Sequence, residues 1–585
     1  MTNEQIAQEF DKLASLIEFL DRWDPADPFR IRTYRKIASI IRNYEHNIYD
    51  LYKEWKLEKI PGFGKETWAK LLEYLETWKI SSYEKLKQDI PESVLQLMDI
   101  PWVGPKLAKH LYEDLNIKSV EELENLIESN PEKLLSLPRM GQKSLEKIKK
   151  WLEMYKFTKT RTPLGLVYPY AKELLEYIKS FPEVKKAQIA GSLRRMKETI
   201  GDIDILCVSD NPLQTMDKFS KFSNVEQVLV SWATKTSVFL KQPHIQVDLR
   251  IVKDDEYGAA LQYFTWSKQH NIHLRTIAKE KWYKISEYGI YQLKVESWKL
   301  KEIKVWGEKE EDIYNTLWMD WIVPEMRQDL WEIQLAQEHK LPKVIEYDDL
   351  KWDLHTHSIW SDGQNTIEEM VQAGIELGYE YIAITDHSPS LAVANWLDKD
   401  RFFQKLEEIE KLRKKYPQIK ILMWTEVDIL SDGSLDYDEE ILKHCQIVIA
   451  SIHRWYTGDQ TQRYLKALDN PYITAIWHPT WRIIWERQMM QVDWDKVFKK
   501  AIEKWVLMEI NSQPLRLDLP DFLIRKFNEM QGKFLINTDA HHIKCLKNYY
   551  VYGIWQARRA WLEAKNVINT YSWEEFKKFL NLDLD

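Results

Sequence analysis

Residues 353–357 read Asp-Leu-His-Thr-His, and they end the first of several short apolar runs in the C-terminal part of the chain. Five further runs also end in a histidine or a carboxylate, with amphipathic helical patterns between several of them. The residues at those ends are Asp386 with His387, Glu426, His453, His478, and Asp539 with His541. A seventh similar run is Val-Leu-Met-Glu-Ile-Asn-Ser at residues 506–512. Alternating strand and helix signals with polar residues at strand ends predict an α/β barrel whose active face is the C-terminal one.

Nine side chains in this region have the donor atoms and the placement of metal ligands. They are His355, His357, Asp362, His387, Glu426, His453, His478, Asp539 and His541. Nine ligands are too many for one ion, so the set predicts two or three ions, with Glu426 as a bridge. Imidazoles and carboxylates without thiolates favour Mn²⁺, Zn²⁺ or Fe. Clustered ions of this kind can activate water and hold a phosphate ester.

A second set of chemical groups lies upstream of this region. Gly191-Ser192-Leu193-Arg194-Arg195 follows an apolar run and is typical of a strand-to-helix turn that cradles a phosphate. Asp202 and Asp204 flank Ile203 on a predicted strand, so both carboxylates lie on one face. Asp248 lies in another strand pattern. Three carboxylates on adjacent strands can hold two Mg²⁺ ions.

The N-terminal 157 residues indicate helices joined by short glycine-bearing hairpins. Ile60-Pro61-Gly62-Phe63-Gly64-Lys65 is followed by Ile100-Pro101-Trp102-Val103-Gly104-Pro105-Lys106, and a weaker third copy begins at Leu137. Glycines allow backbone N–H groups to approach a phosphate at a helix N-terminus, and a lysine adds charge. Such contacts hold DNA without selecting a sequence. The predicted DNA-binding residues are Gly62, Gly64, Lys65, Gly104 and Lys106.

The composition indicates a globular protein of three or four domains. The chain has 585 residues, of which 44% are hydrophobic and 30% are charged, and its net charge of −8 restricts any DNA affinity to local patches. No apolar run is long enough to span a membrane. The three cysteines lie far apart without metal spacing, which favours a reducing cytoplasm.

The tryptophan and glycine contents are abnormal. The chain has 27 Trp and only 17 Gly, whereas a typical protein with about 7% Gly would have roughly 41 glycines at this length. Several tryptophans stand where the backbone favours glycine, among them Trp102, Trp266, Trp352 and Trp477. One interpretation is a protein rich in Trp. The other is that many of these residues are glycines whose codon, most simply UGA, is read here as Trp.

The motifs together resemble bacterial family X DNA polymerases that carry a C-terminal PHP domain. The Gly-Ser-x-Arg-Arg and Asp-x-Asp motifs resemble those of the family's nucleotidyltransferase palm. Tyr263-Phe264-Thr265-Trp266-Ser267 resembles the family's nucleotide-binding motif, with Trp in a Gly position. The resemblance implies that Asp202, Asp204 and Asp248 are catalytic. It also implies a nucleotide-binding set of Gly191, Ser192, Arg195, Tyr263, Phe264, Asn271 and Arg275. Residues 29–35 resemble the start of a small lyase-type domain, which implies a Schiff-base role for Lys70; a solvated helix lysine is the alternative.

The same resemblance extends from Lys351 to about Leu582. It implies a distorted (β/α)7 PHP barrel and Mn²⁺-dependent 3′–5′ exonuclease activity, with abasic-site incision and 3′-phosphate removal as further possibilities. The expected substrates are gapped or primed DNA and dNTPs, and the expected state is a monomer. Two alternatives stay open: a phosphoesterase whose polymerase half only binds DNA, and a phosphatase of the histidinol phosphatase type.

The motifs also predict domain boundaries. The predicted order is a lyase-like helical domain with the first hairpin, two further hairpins, the palm, a nucleotide-selecting subdomain, a linker and the PHP domain. The corresponding ranges are 1–90, 91–157, 158–262, 263–335, 336–350 and 351–585.

Overall fold

A computed structural model divides the chain into two compact units, Met1–Lys159 and Thr160–Asp585. The structure describes residues 3–20, 27–42, 48–53, 57, 60, 62–77, 80–87, 97, 103, 105–135, 137, 141, 145, 148–149, 161–265, 267–296, 299–390, 397–454 and 456–580. The division falls close to the end of the predicted helical region.

The first unit is helical where the structure describes it, as the sequence predicts. Its helices span Asn3–Leu20, Asp27–Arg42, Ile48–Lys53, Lys65–Thr77, Ser81–Lys87, Pro105–Glu113, Val120–Ser129 and Glu132–Leu135. Apolar residues three and four positions apart, such as Ile6, Phe10 and Leu13, share one helix face and are buried. Apolar residues of the hairpins, including Ile60 and Phe63, are buried in the same core.

The second unit begins with a five-stranded sheet in the order β2-β4-β7-β6-β5. Its strands are β2 (Val184–Ile189), β4 (Asp202–Ser209), β5 (Val225–Ser231), β6 (Lys235–Leu240) and β7 (Gln246–Ile251). Two short strands, β1 (Thr162–Pro163) and β3 (Thr199–Ile200), pair antiparallel with each other. Helices Leu164–Lys179, Gly191–Arg194 and Pro212–Ser220 complete this layer. β4 and β7 are parallel neighbours, which brings the predicted palm carboxylates onto adjacent strands.

A helical and antiparallel region follows the palm sheet. Helices Tyr257–Thr265 and Lys268–Glu280 precede a three-stranded sheet of β8 (Tyr283–Ser286), β9 (Gly289–Glu296) and β10 (Lys299–Trp306). Short helices Glu311–Thr316 and Glu332–Gln337 come next. Ala259, Leu274, Ile290 and Tyr314 are buried in one core that joins the helices to this sheet.

The C-terminal region is built on a parallel sheet with strands in chain order. The strands are β11 (Tyr381–Ile384), β12 (Lys420–Asp428), β13 (Ile447–Ser451), β14 (Ile473–Ile476), β15 (Leu507–Asn511) and β16 (Phe534–Asn537). Asp353 bridges to Ile382 on β11, and Thr356 bridges to Ala540 just after β16. Residues 353–356 therefore lie between the edge strands β11 and β16 and close the sheet into a barrel of seven segments. This confirms the predicted barrel.

Helices surround this ring. They span Ile367–Glu376, Lys399–Lys415, Glu439–Leu442, Thr461–Ala467, Trp494–Glu503, Asp521–Glu529, Ile543–Arg559 and Trp573–Leu580. The first of them begins with a capping box in which Thr366 accepts from the backbone N–H of Glu369 and Glu369 accepts from that of Thr366. No helix in the described parts of the chain has the length and apolar character to cross a membrane.

Candidate metal centres

The first candidate centre lies at the N-terminal ends of β4 and β7. Asp202 stands opposite Gln246 and Asp204 stands opposite Asp248 in the parallel register. Because side chains alternate along a strand, Asp202 and Asp204 share a face with Asp248. Lys235 Nζ lies 2.7 Å from Asp248 Oδ2, so a lysine neutralises one of the three carboxylates.

The glycine turn comes directly against this face. Gly191 has φ of +64°, and a Cβ atom there would lie 2.3 Å from Asp204 Oδ2. A larger residue would therefore displace the carboxylate. The hydroxyl of Ser192 is buried without a hydrogen-bond partner, and buried polar atoms of this kind are rare unless a ligand satisfies them. The turn therefore offers an unsatisfied donor for a phosphate oxygen.

The charges at this centre repel one another. Burial, followed by the charges of Asp202 and Asp248, raises the pKa of Asp204 to about 7. Burial and the charge of Asp248 also raise the pKa of Asp202. Burial opposes ionisation of Asp248, but hydrogen bonds led by the one from Lys235 outweigh it and lower its pKa. A divalent cation would relieve this repulsion, so the carboxylates fit the predicted Mg²⁺.

The predicted nucleotide-binding residues lie on both sides of the Gly191 turn. Arg195 is buried and donates to the carbonyl oxygens of Gly191 and Thr265. Tyr263 and Phe264 meet edge to face with ring centroids 5.1 Å apart. The list is completed by Asn271, which donates to the Tyr263 carbonyl at 2.8 Å, and by Arg275, which donates to the Asn271 carbonyl at 3.1 Å. Trp266 falls outside the described residues.

The predicted DNA-binding residues of the first hairpin are exposed. Gly62 has φ of +96°, Gly64 precedes the helix Lys65–Thr77, and Lys65 opens that helix. Lys70, further along the helix, pairs with Glu66 at 3.3 Å and is 16% exposed. In the second hairpin, Gly104 lies outside the described residues, and Lys106 lies in the helix Pro105–Glu113 with its side chain not described.

The second candidate centre brings all nine predicted ligands together around Glu426. Its carboxylate oxygens lie 2.8–3.6 Å from nitrogens of five histidines, which are His355, His357, His387, His453 and His478. Asp539 contacts His355 and His357 from the other side at 3.2 and 3.4 Å. Asp362 lies 3.3 Å from His541 and 3.6 Å from His387.

Eight of these ligands fall into three overlapping groups whose donor atoms converge. The groups are His355, His357 and Asp539; His387, Glu426 and His453; and His357, Asp362, His387 and His541. His478 belongs to none of the three, and His357 and His387 each belong to two. Three of the histidines and Glu426 also keep a buried donor or acceptor atom without a partner. Orphaned buried nitrogen and oxygen atoms fit metal coordination.

The electrostatics of this centre depend on its buried charges. Burial opposes ionisation of Glu426, but the charges of His387 and His453 hold its pKa well below the usual range. Burial also lowers the pKa of His355, yet the charges of Asp539 and Glu509 outweigh it and raise the pKa to about 10. Burial lowers the pKa of His387 to about 3. The carboxylates thus stay ionised and attract cations into a buried site.

Two carboxylates that orient ligands were missed at the sequence level. Glu509 Oε1 lies 2.7 Å from His355 Nδ1, and its other oxygen accepts from the backbone N–H of His478 at 2.8 Å. Asp428 Oδ1 lies 3.1 Å from His453 Nδ1. A carboxylate behind a histidine sets the tautomer and direction of the ring. Both lie on strands of the ligand-bearing sheet, but Glu509 stands inside an apolar run, where sequence alone does not show which way its side chain points.

Two arginines beside the centre were also missed. The guanidinium carbons of Arg487 and Arg516 lie 3.9 and 4.5 Å from the centre of the Trp481 ring. That ring lies 4.9 Å from the rings of His453 and His478. Arg487 Nη2 and Arg516 Nη1 are buried without hydrogen-bond partners. Two cations with unsatisfied donors therefore converge next to the ligand cluster.

Comparison with known proteins agrees with this geometry. Four family models match the chain: a helix-hairpin-helix domain at residues 1–80, a SAM-like helix-hairpin-helix tandem at 94–153, a DNA polymerase beta thumb at 260–328 and a PHP domain at 353–480. The chain is 36% identical over 558 residues to the DNA polymerase/3′-5′ exonuclease PolX of Bacillus subtilis (strain 168), a match that covers 95% of each chain. The chain belongs to the PolX family. The predicted resemblance to family X polymerases with a PHP domain is confirmed.

Shorter relatives match the C-terminal part of this PolX family member. A probable phosphatase of Thermoanaerobacter sp. (strain X514) is 33% identical over 203 residues, which cover 32% of this chain and 78% of the relative. A probable phosphatase of Clostridium acetobutylicum is 31% identical over 202 residues, with the same coverage. About a third of this chain is therefore similar to most of the length of these probable phosphatases.

Proposed function

We propose that this protein is a DNA polymerase that fills short gaps during DNA repair and also removes nucleotides from 3′ ends at its PHP centre. The observation that carries the proposal is that the side chains predicted as metal ligands cluster at two places in one chain, whose similarity to the Bacillus PolX extends over 95% of both sequences.

In the polymerase reaction, Asp202, Asp204 and Asp248 hold the catalytic cations. Two Mg²⁺ ions, when bound, stabilise the charge on the attacking 3′ oxygen and on the leaving pyrophosphate. Gly191 allows the chain to approach the triphosphate, and the unsatisfied hydroxyl of Ser192 donates to it. Lys235 would have to release Asp248 for a cation to bind the same carboxylate oxygen.

The remaining nucleotide contacts are assigned by the same proposal. Arg195 adds positive charge next to the Gly191 turn, and Tyr263 and Phe264 pack against the sugar. Asn271 and Arg275 contact the nascent base pair and the template. Their present hydrogen bonds link Arg275 through Asn271 to the backbone of Tyr263, so base-pair contacts and sugar contacts move together.

DNA is held in part by the N-terminal hairpins. The exposed Gly62, Gly64 and Lys65 present backbone N–H groups and a charge at the start of a helix, where a phosphate binds. Gly104 and Lys106 are assigned the same role in the second hairpin. Lys70 is proposed as an abasic-site lyase residue. Its ion pair with Glu66 would have to open before its amine attacks an aldehyde.

The nuclease reaction is assigned to the nine-ligand centre. The donor set of imidazole and carboxylate fits Mn²⁺, Zn²⁺ or Fe, and such ions supply an activated water and neutralise a phosphodiester. Glu509 and Asp428 hold His355 and His453 in the ligand orientation. Arg487 and Arg516 bind the phosphate of the 3′ nucleotide, since their unsatisfied donors lie beside His453 and His478.

A second function is favoured by the shorter relatives. Their names describe probable phosphatases, so the PHP centre here could act on 3′-phosphates while the polymerase half only binds DNA. Extension of a primer across a short gap separates the two proposals. Incorporation of dNTPs by the wild-type protein supports the polymerase, whereas intact nuclease without any incorporation supports the second function.

The predicted domain boundaries and cellular setting belong to the same proposal. The protein acts as one monomer. Its parts are the hairpin regions 1–90 and 91–157, the palm 158–262, the nucleotide-selecting part 263–335, the linker 336–350 and the PHP domain 351–585. Three free cysteines without a disulfide suit a cytoplasmic enzyme.

A further inference from the structure

Several tryptophans lie in backbone conformations that favour glycine. Six of the fifteen non-glycine residues with positive φ in the described regions are Trp, although Trp supplies only 27 of the 585 residues. By chance, fewer than one of fifteen would be expected. The left-handed region is costly for residues with a Cβ, and glycine is the residue that adopts it readily.

Four of these tryptophans directly follow helix C-caps. The helices are Lys268–Glu280, Glu311–Thr316, Trp494–Glu503 and Ile543–Arg559, and the residues one position after their C-caps are Trp282, Trp318, Trp505 and Trp561, with φ between 59° and 66°. This position, C′, is the one at which glycine is most enriched in proteins.

The hydrogen bonds at three of these helix ends, those at Trp318, Trp505 and Trp561, form complete Schellman motifs. At the first, Trp318 N–H donates to Asn315 and Met319 N–H donates to Tyr314, at 3.0 and 3.1 Å. At the second, Trp505 N–H donates to Ile502 and Val506 N–H donates to Ala501, at 3.1 and 2.8 Å. The motif requires a left-handed conformation at C′, the residue that carries the first of the two donor N–H groups.

The chain contains the same motif with glycine. Gly378 follows the helix Ile367–Glu376, has φ of +77°, and donates to Ile375 while Tyr379 donates to Gly374, both at 3.0 Å. The helix ends at 318 and 505 therefore differ from this one in the side chain but not in the hydrogen bonds. Glycine fits all three.

The exposed side chains at these positions make little use of an indole. Trp318 and Trp505 are each 79% exposed, and Trp282 is 59% exposed. Trp485 is also 59% exposed; it lies in a tight turn closed by the antiparallel bridge between Ile483 and Arg487, with φ of +78°. Trp is normally among the more buried side chains, so neither backbone nor environment accounts for it here.

Trp481 combines the same backbone with an unsuitable buried side chain. Its φ is +53°, and its indole N–H is buried without an acceptor. The ring fills the space between Arg487 and Arg516 beside the ligands His453 and His478. Glycine at this position would open that space to a phosphate group.

We propose that the functional protein carries glycine at positions 282, 318, 481, 485, 505 and 561, because its codons there are UGA read as glycine in the source cell. At position 561 the ring is buried against Trp331 and Arg525, and its indole N–H, like that of Trp481, has no acceptor. Trp360 is a position where Trp is expected, since its indole N–H donates to Glu408 at 2.8 Å and its ring contacts Arg401.

The coding DNA and the native protein test the proposal together. UGA is expected at the six positions and UGG at Trp360, and tandem mass spectrometry of the protein purified from its source cells should identify glycine at the six sites. UGG codons, or tryptophan in the native peptides covering these sites, would overturn the proposal.

Discussion

Arg482 forms a two-pronged ion pair with Glu198, with N–O distances of 2.7 and 3.1 Å. Arg482 lies four residues after the predicted metal ligand His478, and Glu198 lies four residues before Asp202. Gln556 of the helix Ile543–Arg559 donates to the same carboxylate. The two candidate centres are thus joined by a direct contact within the second unit.

Loss of this ion pair is expected to affect stability and both activities. Changing Glu198 to Gln removes one charge and should lower the free energy of unfolding by about 1.5–3 kcal/mol, the range for hydrogen bonds to charged groups. Denaturant unfolding measures this change. As a control, Glu302→Gln breaks the exposed pair with Lys284 and should cost about 0–1 kcal/mol. Equal effects of the two substitutions would contradict a linking role for Glu198.

Glu509 is expected to control metal affinity at the PHP centre without being a ligand. Glu509→Gln weakens the hold on His355 Nδ1 and should lower Mn²⁺ affinity by about 10–100-fold. Calorimetric titration of the full chain with Mn²⁺ measures this directly. Glu440→Gln, which alters an exposed carboxylate paired with Lys399, should leave the affinity unchanged. Unaltered Mn²⁺ binding by the Glu509 variant would show that another group orients His355.

Arg516 is expected to bind substrate phosphate. Arg516→Gln should lower kcat/KM for 3′-end removal by about 10–100-fold, corresponding to roughly 1.4–3 kcal/mol for a charge-assisted contact. Arg516→Lys should restore only part of the activity, because lysine lacks the forked donor geometry. Since Arg516 lies 3.8 Å from Asp539, Mn²⁺ affinity must be measured as well. A loss explained entirely by weaker metal binding would contradict the phosphate role.

Glycine at the exposed left-handed positions is expected to stabilise the chain. Trp→Gly at 318 and 505 removes a left-handed penalty of about 1–2 kcal/mol per residue, partly offset by the greater entropy of glycine in the unfolded chain, about 0.4–1 kcal/mol. The net gain should appear as a higher denaturation midpoint. Trp360→Gly, which deletes a hydrogen bond and ring contacts, should lower it. A lower midpoint for the first pair would mean that the indoles stabilise these helix ends.

The clustering of the nine predicted PHP ligands could be expected from sequence because each ends an apolar run or stands in a short polar turn after one. That the barrel closes through Asp353 and Thr356 is known only from the structure. Glu509 could not be assigned, because it lies within an apolar run and only the fold shows which way its side chain points. Arg487 and Arg516 come from separate loops, so their convergence on Trp481 depends on packing between segments distant in sequence.

The palm was predictable to a similar extent. The Asp-x-Asp spacing on one strand determines that both carboxylates share a face, and the structure adds the parallel register that sets Asp204 opposite Asp248. The pairing of Lys235 with Asp248 was not predictable, because it connects neighbouring strands through side chains whose partners the sequence does not specify.

The most direct test of two separate active centres uses one gapped DNA substrate with a 5′-labelled primer and Mn²⁺, with and without dNTPs. Asp204→Asn should reduce primer extension by about a hundredfold or more while 3′ shortening continues at the wild-type rate. Asp539→Asn should abolish shortening and leave extension intact. The contradicting result is primer extension by Asp204→Asn at the wild-type rate, or loss of both reactions in either correctly folded variant.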